Sequence, residues 1–69
     1  MRDDRKMCQF ERSCRLSGIR PRDISDALGV QFRQAQNYYY GQAIPRADRA
    51  IVLARLLDES VEKLWQDAF

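Results

Sequence analysis

The chain has no histidine, only three glycines and two prolines, and a single tryptophan in 69 residues. Without histidine there is no Cys-His or Ser-His-Asp nucleophile and no Cys-His zinc site, and three scattered glycines make no phosphate-cradling loop. The two cysteines, Cys8 and Cys14, are six positions apart. On one helix that spacing turns them about 120° away from each other, which rules out a local disulfide. Both are expected to be reduced, buried small hydrophobes. Asp3 with Asp4 and Asp58 with Glu59 lie in hydrophilic stretches and read as solvated surface. No catalytic constellation, metal site, cofactor or small-molecule substrate is therefore expected. No apolar run reaches the roughly 18 residues of a membrane span, and the charged start MRDDRKMCQ is followed by no apolar signal core, so a cytoplasmic protein with no membrane partner is expected.

What is present has the proportions of a folded domain, with 45% hydrophobic and 32% charged residues. A chain of 69 residues fills one domain and not two, because separate cores need about 50 residues each. The net charge is only +2, but it is unevenly spread. Residues 1–22 carry seven basic and three acidic side chains, residues 23–57 four and three, and residues 58–69 one and four. A basic body with an acidic end suits a polyanionic partner on one face and a different task at the other.

Apolar residues recur at helical spacing, and no segment alternates as a strand would. Met7, Phe10 and Cys14 predict a first helix over about residues 5–17, ended by Gly18. Pro21 and Asp23 suit the first turn of a second helix with a buried stripe of Ile24, Ala27 and Leu28, stopped by Gly29. A third starts near Phe32 and buries Ala35 and Tyr38 before Gly41. Pro45 opens a fourth, with Ala47, Ala50, Ile51, Leu53, Ala54 and Leu57 on its inner face and neighbouring positions. Ser60 caps a short fifth in which Val61, Leu64 and Trp65 recur. The expectation is one compact all-α domain of five helices over residues 1–69, with residues 60–69 as a short C-terminal helix used in dimerisation. The residues ahead of the second, third and fourth helices are Arg20, Gln31 and Ile44, none of them a usual N-cap. Water, or Asp23 and Asp48 reaching back, would satisfy the free N–H groups; so would DNA phosphates over the second and third helices.

Two short helices joined by a glycine and about three connecting residues describe a helix-turn-helix. The stretch from Cys14 to Trp65, 52 of the 69 residues, resembles the Cro/CI (Xre-like) helix-turn-helix DNA-binding proteins of phages and bacteria, whose domain is lambda-repressor-like. Gly18, Ile19, Ile24, Leu28, Gly29 and Val30 in GIRPRDISDALGV fall at the family's small and apolar positions. Gly41 and Pro45 match the glycine after its third helix and the proline before its fourth, and Leu53, Ala54, Leu57, Ser60, Val61 and Leu64 match its closing segment. Ser25 stands where alanine is common. The family's arginine late in the first helix and the glutamate it often pairs with fall on Cys14 and Tyr39, a paired loss that leaves no stranded charge.

The resemblance implies a sequence-specific transcriptional regulator, a small repressor of phage or prophage type that binds a palindromic operator as a homodimer and reads the major groove with its third helix. An antitoxin-like or adaptor module acting on a protein partner is the alternative; the lack of any acid on the third helix speaks against it. With Ala35 and Tyr38 turned inward, Phe32, Arg33, Gln34, Gln36 and Asn37 are left to face bases and solvent. Arginine pairs with guanine, Asn and Gln with adenine, and an aromatic ring contacts a thymine methyl. The family's base-contacting positions correspond to Phe32, Arg33 and Asn37. Arg20, Arg22, Gln31, Tyr40, Gln42 and Arg46 are the candidate phosphate contacts. Val52 with Leu56, and Trp65 with Phe69, are apolar pairs beyond what the helices need for one buried stripe, and are expected at the dimer interface.

Overall fold

The computed structural model describes residues 7–66. Five helices follow one another: α1 Gln9–Ser17, α2 Pro21–Leu28, α3 Phe32–Tyr39, α4 Ala47–Leu57 and α5 Val61–Leu64. α1 packs against α3, α4 and α5, while α2 packs against α3 and α4. One core joins all five, built on Phe10, Cys14, Ile24, Ala35, Tyr38, Tyr39, Ala50, Leu53, Leu57, Leu64 and Trp65. Among the described residues no helix is long and apolar enough to cross a membrane.

The helix ends are set locally. Gly18 and Gly29 follow α1 and α2 in the left-handed conformation, where an L side chain costs about 1–2 kcal/mol. Asp58 does the same work after α4 with φ 57°, and its N–H and that of Glu59 bond to the carbonyls of Arg55 and Ala54. Ser60 accepts from the Lys63 N–H at 3.1 Å, as a hydroxyl cap should.

Several sequence expectations need correcting. α1 begins at Gln9, because Cys8 is extended and acts as its cap, the thiol accepting from the Glu11 N–H at 3.4 Å. Met7 therefore precedes the helix and is exposed, and Cys8 is half-buried rather than buried. Ala27, Ala47 and Ile51 are exposed too, since α2 and α4 each bury a narrower stripe than their composition allows. Pro45 does not open α4; it lies one residue before the true cap, Arg46, and is fully buried, so Ile44 is not a cap position. Trp65 is not a surface aromatic: it is 8% exposed and stacks on Phe10.

Candidate nucleic-acid interface

α2 and α3 are joined by Gly29, Val30 and Gln31, and Ser25 fastens that turn. Its hydroxyl donates to the Val30 carbonyl at 2.7 Å, while its own carbonyl accepts from the Gly29 and Val30 N–H groups at 2.8 and 3.2 Å. The serine at the position where the resembling family commonly has alanine is thus a clamp on the connection between α2 and α3.

α3 is held from below by Ala35, Tyr38 and Tyr39, all buried. Tyr38 is also tied to α4, its hydroxyl accepting from Arg49 Nη1 at 2.9 Å. Tyr39 sits against α1: Arg15 lies 5.7 Å from the centre of its ring. Arg15 also holds the buried Glu11 carboxylate, with Nη2 and Nε at 2.8 and 2.9 Å from Oε2. This ion pair lies within one helix, at i, i+4, and stands beside the Cys14 and Tyr39 positions. The sequence reading missed it; the i, i+4 spacing of Glu11 and Arg15 is the signal that could have found it, though not that Glu11 is buried while Arg15 stays exposed. Burial raises the Tyr39 phenol above its ordinary range, against the opposing pull of Arg15. The Arg15 guanidinium is itself pushed up, chiefly by its hydrogen bond to Glu11.

At about 100° per residue, Arg33 and Asn37 stand across the helix from buried Ala35. Phe32 and Arg33 are exposed, whereas Gln34, Gln36 and Asn37 are half-buried. Arg33 forms no ion pair or hydrogen bond with the other described side chains, and α3 has no acidic residue in its first turn.

The candidate phosphate contacts lie around the helix starts. Arg20 caps α2, Gln31 caps α3 and Arg46 caps α4, and none of the three uses its side chain to cap. Asp23 reaches back to the Arg20 N–H at 2.9 Å, whereas Asp48 bonds forward to the Arg49 N–H. The start of α3 has no such carboxylate in its first turn and no side-chain cap. Arg20, Arg22, Gln31 and Gln42 are exposed; Arg46 is exposed as well, in a loose 3.7 Å pair with Asp48. Tyr40 closes α3, with its ring edge-on to Tyr39 at 4.8 Å.

Of the expected dimer residues, Val52 and Leu56 are exposed on α4 and Trp65 is in the core. Phe69 lies outside the described residues. A cleft of about 270 Å³ between the start of α1, the segment after α3 and the end of α5 is lined by residues that include Cys8, Phe10, Gly41, Ile44, Leu64 and Trp65, and none of the residues expected at DNA lines it. Among the described residues no cluster of His, Cys, Asp and Glu is placed to hold a metal. No protein-family model, curated protein or solved structure matches this chain.

Proposed function

We propose that the protein is a sequence-specific DNA-binding transcriptional regulator, a repressor of the small phage or prophage type, that acts in the cytoplasm by laying α3 in the major groove as half of a homodimer. One observation carries the reading: α3 carries an exposed arginine with no partner among the described residues, an exposed aromatic and half-buried amides, with no acid in the helix, directly after a start that has no side-chain cap. That chemistry fits base edges flanked by phosphates. Arg20, Arg22, Gln31, Tyr40, Gln42 and Arg46 would position the domain on the backbone, and Phe32, Arg33, Gln34, Gln36 and Asn37 would read sequence.

Selection of bound duplexes from a random pool tests this. The expected outcome is a short enriched half-site, repeated in inverted orientation. A pool that stays random through successive rounds would overturn the reading.

A further inference from the structure

α3 carries the candidate base-reading side chains, and Arg46, a candidate phosphate contact, stands at the start of α4, yet the backbones of these two helices do not meet. Each packs against α1 and α2 instead. Arg49 bridges the gap, its Nη1 donating to the Tyr38 hydroxyl at 2.9 Å. Among the described residues no other side-chain hydrogen bond joins α3 to α4.

Neither residue is explained by its own helix. Tyr38 is 3% exposed, and a phenylalanine would fill the same part of the core. Its hydroxyl, once buried, needs a partner, and Arg49 supplies it. Arg49 stands in the first turn of α4, where free N–H groups and the helix dipole disfavour a cation. Among the described residues it forms no ion pair. Asp48 accepts the Arg49 backbone N–H at 2.9 Å and pairs with Arg46 at 3.7 Å. Arg46, Asp48, Arg49 and Tyr38 thus form one connected path from a candidate phosphate contact to the helix proposed to read bases.

We infer that Arg49 is a positioning residue for base reading, which acts through Tyr38 to fix the angle of α3 against the start of α4. The inference rests on α3 being the DNA-reading helix and adds to it a residue outside the set assigned to DNA. Hydrogen bonds to base edges fail when donor and acceptor move or tilt by a fraction of an ångström or a few tens of degrees. A long arginine side chain on a phosphate follows such a movement, so sequence-independent binding persists. Loss of the Tyr38–Arg49 bond therefore lowers discrimination between sequences and leaves the sequence-independent part of binding in place.

The test uses the whole chain with two probes: the duplex that emerges from the selection and a scrambled duplex of the same composition. Tyr38→Phe removes the acceptor without changing charge or ring packing, and Arg49→Met removes the donor at similar side-chain length. In both variants the preference for the selected duplex should fall by about tenfold, the worth of one hydrogen bond to a charged group. Tyr38→Phe should bind the scrambled duplex as the wild type does, with the same salt dependence. The double variant should discriminate no worse than either single one, because both remove the same bond. Cooperative melting above the assay temperature checks that each variant is folded. If Tyr38→Phe keeps the full preference, or Arg49→Met weakens selected and scrambled duplexes alike, the inference falls while α3 remains the reader. If the wild type binds no duplex even at low salt, the functional reading falls and this inference with it.

Discussion

The indole of Trp65 lies over the phenyl ring of Phe10, with centroids 5.1 Å apart and planes inclined by 27°. Through this contact the residue just after α5 closes the core against α1, the helix that precedes the α2–α3 pair among the described residues. An aromatic stack of this kind adds about 0.5–1.5 kcal/mol to the area it buries. Trp65→Ala should therefore cost about 3–5 kcal/mol, as large-to-small core substitutions do, and Trp65→Phe much less. Urea unfolding measures both. A Trp65→Ala variant of wild-type stability would show that the stack does not exist in solution.

Ser25→Ala should lower stability by about 1 kcal/mol, although alanine is the better helix former. The lost bond leaves the Val30 carbonyl without its 2.7 Å donor in a part-buried turn. For a domain this size the melting temperature should fall by about 4–8 °C. An unchanged or higher melting temperature would mean that helix propensity outweighs the clamp.

The helix order was readable because its punctuation is local. Gly18 and Gly29 sit in left-handed geometry at the places the sequence assigned, and Ser60 caps where a hydroxyl was expected. Cys8 was missed as a cap because a thiol is a poor acceptor and its selection depends on Tyr39, whose carbonyl receives the same thiol's proton at 3.6 Å. Gly41 shares that cause: a Cβ there would lie 3.1 Å from Cys8, so its glycine serves a contact with a residue 33 positions earlier as well as a turn. Trp65 was misjudged because a four-residue helix is too short for periodicity to say which neighbour its flank meets. At the candidate site the exposure of Arg33 followed from where Ala35 points, whereas that of Phe32 did not, because it stands one turn ahead of Ala35 on the same stripe and is exposed at the helix start. The partial burial of Asn37 did not, because it depends on how the chain after α3 folds back, with the Gln42 and Ala43 N–H groups bonded to the Asn37 carbonyl.

The two thiols should separate by reactivity. Cys14 is fully buried, and burial, reinforced by Cys8 and Glu11, pushes its thiol up to about 12. In the folded state it stays protonated where the unfolded chain, near the ordinary 9.0, already ionises. The unfolded state then binds fewer protons, so stability is unaffected below pH 9 and falls as pH rises from about 9 toward 12. Cys14→Ala should flatten that decline. An alkylating reagent at neutral pH should label half-buried Cys8 first and Cys14 only at the rate of unfolding. Equal labelling rates in the native protein would contradict this burial.

Binding to the selected operator should weaken steeply with salt, by about 0.9 log units per tenfold rise in salt for each phosphate neutralised. Arg22→Ala should weaken all duplexes alike and reduce that slope by about one unit. Arg33→Ala should instead cost about 1–3 kcal/mol on the best site and relax preference at one base pair. Fluorescence anisotropy across a salt series separates the two outcomes. A slope near zero would exclude phosphate contacts, and an unchanged preference in Arg33→Ala would move base reading away from α3.

The proposed homodimer now rests on α4. With Trp65 engaged on Phe10, the exposed apolar pair among the residues expected at the interface is Val52 and Leu56, 42% and 40% exposed. They are one helical turn apart on the side of α4 turned away from buried Ala50, Leu53, Ala54 and Leu57. A palindromic operator requires a two-fold partner, and a two-fold interface brings the same patch of each copy together. Stable dimers bury about 800 Å² per partner, far more than two aliphatic side chains supply. The expected dimer is therefore weak in free solution and completed when two copies bind adjacent half-sites. Exchanging both residues for lysine removes apolar area and sets like charges against each other without touching the core, so the variant should keep the wild-type melting temperature. Sedimentation should show self-association of the wild type at tens to hundreds of micromolar and none for Val52→Lys, Leu56→Lys. On a two-half-site duplex the wild type should bind cooperatively, and the variant should fill the half-sites independently. Non-cooperative binding by the wild type, or cooperativity that survives both lysines, would place the two-fold contact elsewhere.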